Sequence, residues 1–351
     1  MTAASAMEVI RASQTRLSII VPVYNGAREL RESLTALAAA APGEEILAVD
    51  DASTDTSAAV ATALGARVLR LARNSGPAAA RNHGAAQARG DVLLFVDADI
   101  VVRPGAVSRV RHTFDEEPGL AALFGSYDAH PRAPGLVSRY RNLLHHFTHQ
   151  QANRDAVTFW AGLGAVRRAV FLEVGGFDAK RFPSASIEDI ELGHRLRRAG
   201  HRIRLDPELQ GTHLKRWTLW SMVRTDITGR ALPWARLILE SGAVPADLNL
   251  RAGQRVSALL VAVAVPAAAL AAARPEFALL SVMSLLGAIG LNRRFYALLR
   301  RRGGLPLAIG SVPLHLLYFL YSGASYLYVW GEWRLHGAAT ALRRLARTVR
   351  T

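Results

Sequence analysis

The stretch LLFVDADIVV, residues 93–102, decides how the first half of the chain folds. It begins as an uninterrupted apolar run, which is typical of a strand buried on both faces of a sheet. It ends on two carboxylates, Asp97 and Asp99, whose side chains point the same way if the segment stays extended. Two carboxylates this close repel each other unless a positive group lies between them. Because oxygen ligands suit Mg²⁺ or Mn²⁺, the pair is a candidate metal site, with a solvated turn at the strand end as the alternative.

The sequence around this strand alternates between apolar segments and helical patterns. Strands are predicted at LSIIVPV (17–23), EEILAVD (44–50), ARVLRL (66–71) and DVLLFVD (91–97), with helices at about 27–40, 54–64 and 77–88. Repeated strand–helix units predict a parallel sheet covered by helices. Ligands of such a sheet bind at the carboxyl ends of its strands, here VPVYNG, VDDASTD and FVDADI. Further helices are predicted near 104–113, 167–174 and 188–199.

The composition and charge of the chain exclude cysteine-based sites and bear on its expected partners. The 351 residues include no cysteine, which excludes disulfides, Cys-ligated zinc and thiol catalysis. The net charge of +15 is concentrated in residues 251–351, which carry 13 Arg and two acidic residues. No basic–aromatic pattern for bases accompanies them, so nucleic acid is not an expected partner. The first 16 residues have no apolar stretch resembling a signal peptide, so we expect the first domain to stay in the cytosol.

Three apolar runs follow, at residues 256–273, 277–291 and 305–330. Their lengths approach the thickness of a bilayer, and Arg clusters flank them, which predicts a membrane region over 251–330. A buried helical hairpin in a soluble domain is the alternative. The third run is expected to be re-entrant or interfacial, broken near Gly310 and Pro313, because the Arg residues of the tail 331–351 favour the cytosolic side.

Five motifs together resemble the family 2 glycosyltransferases in order and spacing. They are VPVYNG (21–26), VDDASTD (49–55), NSGPAAARNHG (74–84), FVDADI (95–100) and IEDIELGHRLRRAG (187–200). The resemblance covers about residues 16–240. It implies a GT-A fold (a mixed, mainly parallel α/β sheet flanked by helices), a nucleotide-diphospho-sugar donor that is UDP-linked in typical relatives, a divalent metal and inversion at the anomeric carbon.

The resemblance also implies a donor site. Contacts to the base, ribose and diphosphate are expected from Pro22, Tyr24, Asp50, Asp51, Gly76, Arg81 and Asp97. Many relatives have Glu immediately after the Asn of the first motif, where this chain has Gly26. A helix N-terminus followed by Arg81 suits a diphosphate or a base edge, although an ordinary Ala-rich helix explains the same residues. Asp97 and Asp99 are expected to hold the metal on the diphosphate.

The motif IEDIELGHRLRRAG has two explanations. By resemblance to the family's ED pair, Asp189 is the general base that takes the proton of the acceptor hydroxyl, and Glu188 orients or shares that site. From the residues alone, Glu188, Asp189 and Glu191 equally suit an acidic first turn stabilised by the helix dipole.

A small-residue loop is expected to contact the acceptor. The stretch FWAGLGAVRR (159–168) resembles the family's acceptor and donor loop. Trp160 could stack on a sugar face there, and Gly162 would permit close approach of a ligand.

The stretch HLKRW (213–217) resembles the QxxRW element of membrane-bound members of the family. In relatives the element lies over the diphosphate, so Arg216 and Trp217 are expected at the donor, and Trp217 also at the acceptor. His213 stands where relatives have Gln, and its role stays open. The residues that follow predict two amphipathic helices, broken near Gly229 and Pro233, at a membrane surface.

The predicted organisation has five parts. They are an N-terminal tail (1–15), a cytosolic GT-A domain (16–216), interfacial helices (217–250), a transmembrane region (251–330) and a basic tail (331–351). The leading hypothesis is an inverting, metal-dependent glycosyltransferase of the inner membrane that acts on a lipid or lipid-linked acceptor.

A processive polysaccharide synthase is one alternative, and three spans are few for a polymer channel. An inactive, membrane-anchored nucleotide-sugar-binding protein or scaffold is the other, and it has no need of a base. A nucleotidyltransferase would also use a nucleotide and paired Asp residues, but it would lack both the ED pair and the HxxRW element that this chain has.

Overall fold

The computed structural model describes residues 15–242 and 248–348, with side chains as far as His336. Most of the predicted N-terminal tail therefore lies outside the described part, as do the side chains of most of the basic tail. The chain divides into two compact units, Met1–Arg216 and Trp217–Thr351.

The first unit is built on one eight-stranded sheet. Its strands are β1 (Leu17–Val23), β2 (Glu45–Asp50), β3 (Arg67–Arg70), β4 (Val92–Val96), β5 (Ile100–Val102), β6 (Leu120–Tyr127), β7 (Leu163–Arg167) and β8 (Arg202–His213), in the order β3-β2-β1-β4-β7-β6-β8-β5. The pairs β1–β2, β1–β4, β2–β3 and β6–β8 are parallel, and β4–β7, β6–β7 and β5–β8 are antiparallel. The predicted mixed, mainly parallel sheet is thereby confirmed.

Seven helices of this unit are described. They are α1 (Ala27–Ala40), α2 (Ser57–Ala63), α3 (Gly76–Gln87), α4 (Ala106–Glu116), α5 (Leu136–Gln151), α6 (Arg168–Glu173) and α7 (Glu188–Arg198). All except α5 lie within a few residues of a predicted helix. The apolar faces of α1 and α4 pack with strand residues such as Ile19, Val21 and Leu94 in one buried cluster. Burial of these faces stabilises the helices more than their intrinsic propensity does.

The turn after β4 positions the first site residues. All five residues of β4 are buried, since β1 and β7 flank the strand. The chain then leaves the extended conformation, and Ile100 N donates to Asp97 O at 3.0 Å. Asp97 N donates to Gly162 O, also at 3.0 Å, which fixes the turn to the loop before β7. The predicted extended geometry of Asp97 and Asp99 is therefore wrong: the two residues occupy a turn.

The second unit is helical. It comprises α8 (Leu219–Asp226), a π-helical turn (Ile227–Ala231), α9 (Leu232–Ser241), a 3₁₀ turn (Leu248–Leu250), α10 (Ala252–Leu270), α11 (Glu276–Leu291) and α12 (Arg293–Thr348). The expected break near Gly229 and Pro233 is wrong, because the backbone stays right-handed helical at Asp226, Ala231 and Leu232. The π-helical turn just before Pro233 accommodates the proline, so the helical backbone continues.

The third apolar run also differs from its prediction. The helix α12 is interrupted at Gly303 and Gly304, where φ is −157° and +74°, and continues without a break past Gly310 and Pro313. A positive φ is readily adopted by glycine, which explains why the helix changes direction there. Pro306 lies in the first turn after this interruption, where its missing N–H is tolerated.

A polar cluster joins α10 to α11. Gln254 Nε2 donates to Asn292 Oδ1 at 3.0 Å, and Asn292 Nδ2 donates to Ser257 Oγ at 2.9 Å. Outward-facing side chains are apolar, with Leu259 64% and Leu279 67% exposed. By length and composition, Ala252–Leu270 and Arg293–His336 could each cross a membrane, whereas Glu276–Leu291 is shorter. These helices indicate an association with membranes.

Candidate active site

Arg81 joins two of the predicted site carboxylates. Its Nη2 lies 2.6 Å from Asp97 Oδ1, and its Nη1 lies 2.9 Å from Glu188 Oε1. The Arg81 side chain is 5% exposed and that of Glu188 6%, whereas that of Asp97 is 32% exposed. Burial lowers the pKa of Arg81, but the charges of Asp97 and Glu188 outweigh it and raise that pKa above its ordinary value. Arg81 therefore bridges α3, the β4–β5 turn and α7.

Asp99 has a different partner. Its Oδ2 lies 3.3 Å from His213 Nε2, at the end of β8, and Leu214 N donates to the carbonyl of Asp99 at 2.9 Å. Burial raises the pKa of Asp99, but the charge and hydrogen bond of His213 outweigh it, so the pKa is lowered overall. Asp97 and Asp99 thus have separate partners, Arg81 and His213, and no single group of the described residues lies between them.

Asp189 lies beside the Arg81 network in the first turn of α7. Its Oδ2 accepts from Ala161 N at 3.1 Å, and its Oδ1 accepts from its own neighbour Ile190 N at 2.8 Å. Desolvation raises the pKa of Asp189 from 3.8 to about 7, Glu188 adds to this effect, and Arg81 opposes it. A carboxyl that titrates near neutral pH can accept a proton from a substrate hydroxyl and release it afterwards.

Trp160 packs into a group of rings in the first unit. Its ring centroid lies 4.9 Å from that of Tyr127, 4.8 Å from His145 and 5.3 Å from His149. A Cβ on Gly162 would lie 2.5 Å from the Trp160 ring. The missing side chain of Gly162 therefore makes room for the Trp160 ring.

The acidic residues after β2 are already hydrogen-bonded. Asp51 Oδ1 accepts from Ser75 N at 2.7 Å, and its Oδ2 accepts from Gly76 N at 2.8 Å, which fixes the N-terminus of α3. Asp50 is 1% exposed, accepts from a backbone N–H and lies 3.4 Å from Arg70. Its burial favours a structural role over the predicted ligand contact.

The remaining predicted donor residues differ in exposure. Tyr24 is 51% exposed after β1, so its ring is available to stack on a base, and Pro22 beside it is half-buried. Arg216 is exposed at the end of the first unit. Trp217 belongs to the second unit, where it is 6% exposed and the Arg230 guanidinium lies 5.9 Å from its ring centroid.

Comparison with known proteins agrees with this fold and set of motifs. Residues 18–175 match the family model of Glycosyl transferase family 2. Residues 18–175 thus form a glycosyl transferase family 2 region. It is 29% identical over 282 residues to the pre-mycofactocin glycosyltransferase of Mycobacterium tuberculosis H37Rv, a match that covers 72% of this chain and 56% of that protein. The chain thus spans about half the length of this mycobacterial relative.

A further relative and a solved structure extend the comparison. The glycosyltransferase GlyG of Streptococcus pneumoniae serotype 4 is 25% identical over 264 residues, covering 70% of this chain and 84% of that protein. The solved structure of a mannosyltransferase, PcManGT from Pyrobaculum calidifontis, in complex with GDP-Man and Mn²⁺ superposes with a TM-score of 0.57 and 17% identity, covering 90% of this chain and 88% of that one. This structural match establishes the GT-A fold of the family 2 chain.

The side chains around Asp99 fit a divalent cation. Among the residues with described side chains, no group of three or more His, Asp or Glu forms a ready-made metal cage. Mg²⁺ is ordinarily held by one or two carboxylates together with substrate phosphates, so a full protein cage is not required. Asp99 and His213, 3.3 Å apart, would supply an oxygen and a nitrogen ligand to such a cation, and Asp97 lies two residues from Asp99.

Proposed function

We propose that this family 2 chain is an inverting glycosyltransferase that moves a sugar from a nucleotide-diphospho-sugar to an acceptor hydroxyl. The observation that carries the proposal is the arrangement around Arg81. Its guanidinium connects Asp97, a residue of the donor side, to the Glu188–Asp189 pair, so the donor and base groups are built into one site. A protein that only bound the donor would have no use for Asp189.

In the proposed reaction Asp189 acts as the general base. Its carboxylate takes the proton of the acceptor hydroxyl while that oxygen attacks the anomeric carbon from the face opposite the diphosphate. The bond between the anomeric carbon and the diphosphate oxygen breaks, and the nucleoside diphosphate leaves with the electron pair. The hydrogen bonds from Ala161 N and Ile190 N hold the carboxylate in place for this transfer.

The donor is expected to bind at the carboxyl ends of β1, β2 and β4. Tyr24 offers an exposed ring for the base, and Asp51 keeps the N-terminus of α3 in position for the diphosphate. Asp99 and His213, with Asp97, would hold Mg²⁺ or Mn²⁺. That cation, when bound, neutralises charge that develops on the leaving diphosphate. Support for a metal comes from the related fold of PcManGT, which was solved with Mn²⁺.

The acceptor is proposed to be a lipid or a lipid-linked glycan. The second unit exposes apolar side chains on α10, α11 and α12, and Trp220 on α8 is 74% exposed. Exposed apolar surface of this extent suits a bilayer. We therefore propose a multi-pass protein of the cytoplasmic membrane whose first unit and Arg-rich segment 293–302 are cytosolic, and which binds no nucleic acid.

Donor screening tests the proposal. Purified full-length chain in detergent is incubated with Mn²⁺, a panel of UDP- and GDP-linked sugars, and membrane lipids of the native host. Release of the nucleoside diphosphate together with a labelled lipid product supports the proposal. Donor binding without turnover on any acceptor fraction would instead support the scaffold alternative.

A further inference from the structure

The amide of Asn142 contacts His213 inside the first unit. Asn142 Oδ1 lies 2.6 Å from His213 Nδ1, and the two residues are 2% and 6% exposed. Asn142 lies on α5, whereas His213 ends β8, so the contact joins two separate elements. The ring of Tyr127 stacks on the imidazole at a centroid distance of 4.3 Å and an interplanar angle of 10°. The hydrogen bond to Asn142 fixes the rotation of the imidazole within its plane, and the stacked Tyr127 ring fixes the orientation of that plane.

The Asn142 oxygen determines which ring nitrogen carries the proton of a neutral His213. Because Oδ1 is an acceptor, Nδ1 donates to it, and Nε2 keeps its lone pair. That lone pair faces the carboxylate of Asp99 at 3.3 Å. A positive charge between these two atoms, either a proton on Nε2 or a bound cation, stabilises this arrangement. Hydrogen bonds of this kind orient metal-ligating imidazoles in proteins generally.

We propose that Asn142 is a positioning residue for the cation site, holding His213 in the Nδ1–H tautomer so that Nε2 is available as a ligand beside Asp99. The inference rests on the divalent cation of the proposed function. Asn142 itself touches neither donor nor cation and acts through His213.

The other half of the amide gives the test its matched variants. Asn142 Nδ2 is buried and has no hydrogen-bond partner among the residues that the structure describes. Asn142→Asp therefore keeps the acceptor and loses no existing bond, whereas Asn142→Leu removes the acceptor at similar volume. Thr113→Val on α4 serves as a control for loss of a buried polar group, because Thr113 is 6% exposed and its hydroxyl donates to Arg109 O.

The measurement is Mn²⁺ binding to the full-length protein in detergent, with and without UDP, followed by the EPR signal of free Mn²⁺. We expect Asn142→Leu to weaken binding about 10- to 100-fold, the usual effect of removing an outer hydrogen-bond partner of a ligand. Asn142→Asp is expected to bind Mn²⁺ at least as tightly as the wild type does. Thr113→Val is expected to bind Mn²⁺ as tightly as the wild type. Equal binding by Asn142→Leu and wild type, or equal weakening by Asn142→Asp and Asn142→Leu, overturns the inference.

Two controls separate this inference from the proposed cation. Absence of Mn²⁺ binding in the wild type contradicts both. Binding that Asp99→Asn abolishes but Asn142→Leu leaves intact contradicts the role of Asn142 alone. Independently, ¹⁵N-histidine NMR of the Mg²⁺-saturated protein reports the tautomer, with His213→Gln identifying the resonances. A proton on Nδ1 is expected, and a proton on Nε2 rules the inference out.

Discussion

Nη2 of Arg81 lies 2.6 Å from Oδ1 of Asp97, in a site where the same guanidinium also bonds Glu188. One positive charge thus pairs with two carboxylates that come from parts of the chain about ninety residues apart. Breaking a buried pair leaves an uncompensated charge, whereas breaking an exposed pair costs little.

The first prediction concerns this bridge. Arg81→Met is expected to destabilise the first unit by about 3–5 kcal/mol, the usual cost of leaving a buried charge without its partner. Arg16→Met is the matched control, because Arg16 pairs with Asp91 at 3.1 Å but is 71% exposed. Thermal unfolding in detergent measures both, and equal melting temperatures for the two variants would show that the bridge contributes nothing.

The same bridge predicts a shift in the pH profile. Arg81 lowers the pKa of Asp189, so Arg81→Gln is expected to raise it further. The acid limb of the kcat/KM–pH profile should then move to higher pH, because Asp189 loses its proton only at a higher pH. If the acid limb is unchanged in an active, folded Arg81→Gln protein, Arg81 does not affect the pKa of Asp189.

The turn before α3 gives a prediction with a closely matched control. Gly76 and Gly43 both have positive φ, +84° and +81°, so alanine is strained at either position by about 1–2 kcal/mol. A Cβ on Gly76 would also lie 2.3 Å from the carbonyl oxygen of Pro183, whereas nothing lies within 4 Å of one on Gly43. Gly76→Ala should therefore be the more destabilised of the two in thermal unfolding. Equal destabilisation would mean that the contact with Pro183 does not constrain the fold.

Sequence patterns predicted the strands and helices of the first hundred residues because buried strands and amphipathic helices have strong, local signals. The turn at Asp97 and Asp99 was only an alternative at the sequence level, because a backbone bond to Gly162, far along the chain, fixes it. The separate partners of the two carboxylates could not be predicted either, since Arg81 and His213 approach only after the sheet has formed. The helix α5 was not predicted, so Asn142 was not considered.

The membrane association is tested with a single fluorescent label, which this Cys-free chain permits. Leu279 is 67% exposed on α11, so a bimane attached to Leu279→Cys is expected to be quenched by brominated lipids in reconstituted vesicles. A bimane on Glu116→Cys, at the exposed end of α4, is the control and should not be quenched. Equal quenching, or none at Leu279, contradicts a bilayer around these helices.

The metal proposal predicts the behaviour of two ligands. Asp99→Asn and His213→Gln should each reduce Mn²⁺-dependent transfer strongly, while Asp155→Asn, in the exposed pair with Arg197, should not. Chelation should abolish wild-type activity, and Mg²⁺ or Mn²⁺ should restore it. Full activity in excess chelator is incompatible with a required cation.

The central claim is that Asp189 is the base of a sugar transfer, and the pH dependence of Asp189→Asn tests it most directly. Desolvation raises the pKa of Asp189 to about 7, so wild-type kcat/KM should fall below that pH as the base becomes protonated. Asp189→Asn keeps the shape of the side chain but cannot take a proton. It should lower kcat about 10²- to 10⁴-fold, leave donor affinity nearly unchanged and remove the acid limb near neutral pH. If Asp189→Asn instead turns over at the wild-type rate, or loses donor binding while the acid limb persists, Asp189 is not the base.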